Sequence, residues 1–147
     1  MKKGSPLPEE HHVMRHVPWT RLRRDADDNV IGILQQAFEL REGETALSVN
    51  WIEHHAAAGI DPETASIETF RRTLDVRRRS AFGIGNVRKI ADVTDEGGYS
   101  LRTTYSPTTN NQSHSSIKGR PLEDIIAREK LATRVFGRFI RNADVES

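Results

Sequence analysis

Hydrophobic and polar positions recur at two periods along this chain, and the period predicts the element. In "HVMRHVPW", Val13, Arg15 and Val17 fall on one side of an extended segment, and His12, Met14 and His16 fall on the other. Pro18 disfavours helix for the residue before it, so a short strand is expected. Leu47, Val49 and Trp51 alternate with Ser48 and Asn50 in a second strand. Tyr99, Leu101, Thr103 and Tyr105 alternate in a third, which Pro107 ends. With the apolar positions from Phe82 to Val93 and the turn "DEGG", that strand predicts a hairpin. "TTNNQSHSSIKGR" reads as a polar loop.

Helical spacing is clearest in "DPETASIETFRRTLDVRRR". Ile67, Phe70 and Leu74 form one stripe, Asp61 can cap it, and Pro62 suits the first helical position. A second helix is expected over "PLEDIIAREKLATRVFGRFIR". Ile125, Ala132, Phe136 and Ile140 give it an apolar face, acids sit in its first turn, and Arg138 and Arg141 sit in its last. Ile31, Leu34 and Phe38 are near helical spacing, with Gly43 as a stop and a strand at 30–34 as the competing reading. Trp51, Ile52 and the alanines at 56–58 fit a helix ending at Gly59.

Because βαβ alternation is missing, these elements predict a single α+β domain: a small, mostly antiparallel sheet packed against two or three helices. A length of 147 residues fits one domain. The expected boundaries are a disordered N-terminal tail at 1–11, the domain at 12–141 and a frayed C-terminal tail at 142–147. With 35% hydrophobic and 29% charged residues the chain is lean in apolar content, which agrees with loose ends.

Cysteine is absent, which excludes disulfides, thiolate metal sites and a cysteine nucleophile, and fits a cytoplasmic protein. The first residues carry no apolar core of a signal peptide, and no apolar run approaches the ~20 residues of a membrane span, so no membrane partner is expected.

The candidate chemistry lies in histidines, hydroxyls and arginines. "EHH" at 53–55 lacks the HExxH spacing, and adjacent helical residues point about 100° apart, so no metal site and no cofactor is expected. Ser48 and Asn50 beside Trp51 could line a pocket for a polar ligand, with Arg15 and Arg41 as further ligand-binding candidates. His114 lies among hydroxyl and amide side chains, and His16, His114 and Ser48 are the catalytic candidates. "GIG" at 83–85 matches neither the Rossmann fingerprint nor a P-loop, and reads as strand glycines marking a bulge or close packing.

Charge is unevenly divided. Residues 1–70 hold 7 Lys/Arg against 12 Asp/Glu, and residues 71–147 hold 15 against 9. Arg71, Arg72 and Arg78 crowd one helix end, and Arg134, Arg138 and Arg141 recur on the expected last helix. The leading expectation is therefore a small cytoplasmic binding or regulatory protein whose basic half engages an acidic protein or nucleic acid. One alternative is an enzyme on a phosphate-bearing or nucleotide substrate, with arginines holding the anion and histidine as general acid or base. Another is an oligomeric interaction subunit.

Overall fold

The computed structural model describes residues 1–146 and has the α+β architecture. Among the described residues, eight strands form in chain order: β1 His12–Val17, β2 Leu22–Arg24, β3 Val30–Ile33, β4 Leu47–Trp51, β5 Ala81–Asn86, β6 Arg102–Tyr105, β7 His114–Lys118 and β8 Arg138–Arg141. The helices are α1 Pro62–Thr73, α2 Val87–Ala91 and α3 Ile125–Lys130. Six strands make one antiparallel sheet in the order β6-β7-β4-β1-β5-β8, while β2 and β3 pair separately. Among the described residues, no helix is long and apolar enough to cross a membrane.

The alternation in β1 divides the core in two. Val13 and Val17 join the larger cluster with Leu47, Val49, Phe38 and Phe136. Met14, from the opposite face, joins Ile67 and Phe70 of α1 and Phe82 and Ile84 of β5. Asp61 caps α1 by accepting from the Thr64 amide, and Pro62 occupies its first turn, as the sequence predicts.

The glycine pair 83/85 falls on the β5 face opposite Phe82 and Ile84. There the Phe136 ring lies so close that a Cβ on Gly85 would sit 2.8 Å from it, and one on Gly83 would sit 2.6 Å from Ile33. The motif serves close packing.

Several expected elements differ. The helix expected from Pro121 to Arg141 is a turn at Arg120–Glu123, the short α3, a π-helical turn at Leu131–Val135, and then β8. Its helical spacing is real locally. However, Gly137 interrupts it, Phe136 docks on the β5 glycines, and pairing with the open β5 edge draws Arg138 and Arg141 into a strand. The strand reading holds at 30–33, where β3 pairs with β2, and Gln35–Phe38 makes only a 3-10 turn. Ile52–His55 is likewise a 3-10 turn.

The expected 82–105 hairpin does not form, because β5 pairs with β1 and β8, whereas β6 pairs with β7. Part of the expected polar loop, His114–Lys118, is the strand β7, whose Ser115 and Ile117 are fully buried.

Both ends, expected as tails, lie against the domain. Leu7 is 3% exposed, and Pro6 bridges to Thr104 on the β6 edge. Asn142 is buried, and its carboxamide oxygen accepts from Arg71. Ser147, the last residue of the expected C-terminal tail, lies outside the described residues.

Gly85→Ala should cost about 1–3 kcal/mol by overpacking against Phe136. Urea denaturation would measure it, and wild-type stability in that variant would refute the packing role.

Candidate functional site

Strands β1 and β4 pair at Val13↔Trp51 and Met14↔Asn50. Beyond that pair, the Arg15 guanidinium takes up the β4 backbone instead. Its Nη1 donates to the Ser48 carbonyl at 2.8 Å, and its Nε donates to the Ala37 carbonyl at 2.8 Å. The guanidinium lies 5.9 Å from the centre of the Phe38 ring.

A cleft of about 520 Å³ opens here, between the end of α1, the 3-10 turn at Gln35–Phe38 and the loop that follows it. Arg15, His16, Arg41 and Ser48 all line it, together with Glu39 and Glu44. The structure thus brings four of the sequence-predicted residues to one place.

Arg15 is the unusual member. It is half-buried, and burial pushes its guanidinium down to about 10, with Glu44 acting upward and Arg41 downward. It therefore stays charged at neutral pH. Yet it forms no salt bridge among the described residues, and its Nη2 has no hydrogen bond there. A half-buried cation held only by neutral carbonyls is incompletely compensated.

His16 packs between Phe70 and Phe82, with ring centres 6.2 and 6.0 Å away, and its Nε2 is buried without a partner. Burial first, then the cations Arg15 and Arg41, hold its imidazole below the ordinary value.

Ser48 is exposed, and its Oγ lies 3.1 Å from Nε2 of His114, which comes from the neighbouring β7. His114 therefore adjoins the cleft through Ser48. Asn50 has a different place. It is 1% exposed, donates to the Ser66 carbonyl of α1 and accepts from Asn111, and so anchors helix and loop to the sheet. Trp51 is half-buried and its indole N–H donates to His11 Nδ1 at 3.0 Å.

The arginine candidates separate. Arg71 binds Asn142 and the carbonyls of Val145 and Glu146. Arg138 forms a bidentate pair with Glu63 at 2.6 and 2.8 Å, and Arg141 a bidentate pair with Asp144. Arg72, Arg78 and Arg134 are exposed and without ion pairs among the described residues. Arg134 and Lys89 line a second groove of about 410 Å³.

Sequence reading missed Glu39, Glu44 and Ala37 as parts of the cleft. One signal was present: Arg15 shares an otherwise apolar strand face with Val13 and Val17. The pairing of His12 Nδ1 with Glu53 at 2.7 Å was also missed, being a contact 41 residues apart. Among the described residues, no group of three His, Cys, Asp or Glu side chains is placed to hold a metal.

Comparison with protein-family models, with curated proteins and with solved structures finds no match. The molecule's own geometry is that of an α+β domain with a cleft lined by a guanidinium that has no ion pair among the described residues.

A lowered imidazole value means that the unfolded chain takes up protons before the folded one does. His16 carries this shift, and burial lowers His54 and His55 in the same direction. Stability should be full above about pH 6.5 and be lost as pH falls from there through the lowered folded-state values. The urea midpoint should drop between about pH 7.5 and about pH 5, and less so in His16→Gln. An identical drop in the variant would remove His16 from the effect.

Proposed function

We propose that this protein, a cytoplasmic one on its lack of cysteine, binds a small phosphate-bearing molecule in the cleft. The observation that carries the reading is the Arg15 guanidinium, fixed by two carbonyls and without a carboxylate partner among the described residues. A planar guanidinium held in place matches phosphate with parallel N–H···O bonds and loses little side-chain freedom on binding. Arg21 and Arg41 add two further cations to the same cleft. Glu39 and Glu44 make the cleft unsuited to a bare polyanion, but they offer acceptors for hydroxyl or amino groups on the rest of the ligand. A sugar phosphate or nucleotide has that distribution of charge.

Isothermal titration with inorganic phosphate and with nucleoside monophosphates tests this. Arg15→Gln should weaken binding roughly 10–100-fold, the range for a hydrogen bond to a charged group. Arg15 also clamps backbone, so Arg41→Gln serves as a second variant. It is exposed, should leave stability unchanged, and should weaken binding several-fold. No heat or chemical-shift change with any of these ligands would reject the reading.

A second reading, engagement of an acidic protein or nucleic acid, has support from Arg134 and Lys89, unpaired in their shared groove. The internal pairing of Arg71, Arg138 and Arg141 weakens it. Binding to generic nucleic acid at low salt should then fall steeply as salt rises, and Arg134→Gln should flatten the slope. Absence of binding at low salt would remove the nucleic-acid version.

A further inference from the structure

Ser48 and His114 lie on adjacent strands of one sheet face, diagonal to each other across the β4–β7 pair, in which Ser48 opposes Ser116 and Asn50 opposes His114. The hydrogen bonds around His114 assign its tautomer. Its Nδ1 is 2.7 Å from the Ser106 carbonyl and 3.1 Å from the Ser106 hydroxyl. A carbonyl can only accept, so Nδ1 carries the proton. In the neutral ring Nε2 is then the acceptor, and the Ser48 hydroxyl, 3.1 Å away, donates to it. The Ser106 hydroxyl is engaged in turn by Ser116 Oγ at 2.7 Å, which steadies the carbonyl-bearing residue.

A hydroxyl, a base and a group that orients the base are the parts of an activated nucleophile. Ser48 is exposed at the cleft, as a nucleophile must be, and Arg15 donates to the carbonyl of that same serine. The Arg15 side chain and the Ser48 hydroxyl leave the sheet on opposite faces and both reach the one cleft, so the cation is available to an anionic group on the substrate away from the reacting carbonyl. We infer that Ser48 and His114 form a nucleophile–base pair that cleaves a carboxylic ester bearing an anionic group. This rests on the cleft reading above, because Arg15 supplies the anion anchor.

The step balances without a further reagent. Ser48 Oγ bonds to the ester carbonyl carbon while its proton passes to His114 Nε2. The carbon–oxygen bond to the alcohol breaks, and the leaving oxygen takes that proton. Water then attacks the acyl–Ser48 ester, giving a proton to Nε2 that returns to Ser48 Oγ as the acid departs. Ester and water become acid and alcohol.

Labelling with diisopropyl fluorophosphate, read by mass spectrometry of the intact and digested protein, tests the pair. In the label, Ser48 Oγ bonds to phosphorus, fluoride leaves and the hydroxyl proton goes to His114. The expected result is one adduct on Ser48. It should be absent in Ser48→Ala, an exposed position whose folding the change does not disturb. It should form about 100-fold more slowly in His114→Gln, the lower range for loss of a general base. Ser106→Ala keeps the orienting carbonyl and should label at close to the wild-type rate.

No adduct on Ser48, or an equal rate in His114→Gln with its thermal midpoint retained, would overturn the inference. Inorganic phosphate binding, measured on the same samples, separates the two proposals. Binding kept without labelling removes the nucleophile pair and leaves the cleft reading, whereas loss of both removes both.

Discussion

The replacement of a strand ladder by one arginine side chain governs the arrangement of this molecule around its cleft. Two backbone pairs join β1 to β4, after which Arg15 reaches across to the Ser48 carbonyl and to Ala37. Putting a guanidinium in the seam of a sheet costs desolvation. Two charge-assisted hydrogen bonds and the Phe38 face offset part of that cost. The same contacts fix the 3-10 turn at Gln35–Phe38, hold the start of β4 apart from β1, and leave one edge of the cation uncompensated. The shape of the cleft and the placement of Ser48 beside it follow from one inserted side chain.

Around that seam the sheet is unequally covered. Helix α1 packs over the face that carries Met14, Phe82 and Ile84, and makes a second small core there. Farther along the same face, at β4, β7 and β6, the residues are Ser48, His114, Ser116 and Thr104, of which Ser48 is exposed and His114 half-buried. Asn50 marks the boundary. It is fully buried beneath α1 and ties Ser66 to Asn111, so the helix edge and the loop before β7 are set by one amide. Polar groups beyond that boundary bond to one another and to the backbone, which is how such a face remains ordered without an apolar cover.

The arginines show the same logic of satisfaction. Arg71, Arg138 and Arg141, which look in sequence like cations facing a partner, bind Asn142, Glu63 and Asp144 and tie the C-terminal segment and β8 to the domain. Arg79 and Arg24 stack on Trp19 at 3.8 and 4.3 Å from its ring centre. The arginines left without such partners are a smaller set, in which Arg15 stands apart because it is half-buried and has no acid paired with it among the described residues.

From residue order alone one could read the α+β class, the strands β1 and β4, and α1 with its Asp61 cap and Pro62 start. Each of these depends on neighbours within one or two turns or along one strand, where period and capping act locally. Arg15 on an apolar face, and histidine, serine and arginine as the chemistry-bearing types, were legible for the same reason. Which strands pair, that the spacing around Ala132 and Phe136 ends in β8 and not in a long helix, and that Ser48 meets His114 across 66 residues, were decided only by tertiary structure. Strand pairing, ion pairing and glycine-permitted close approach are non-local: each needs a partner that no window of sequence contains, and the packed sheet supplies it.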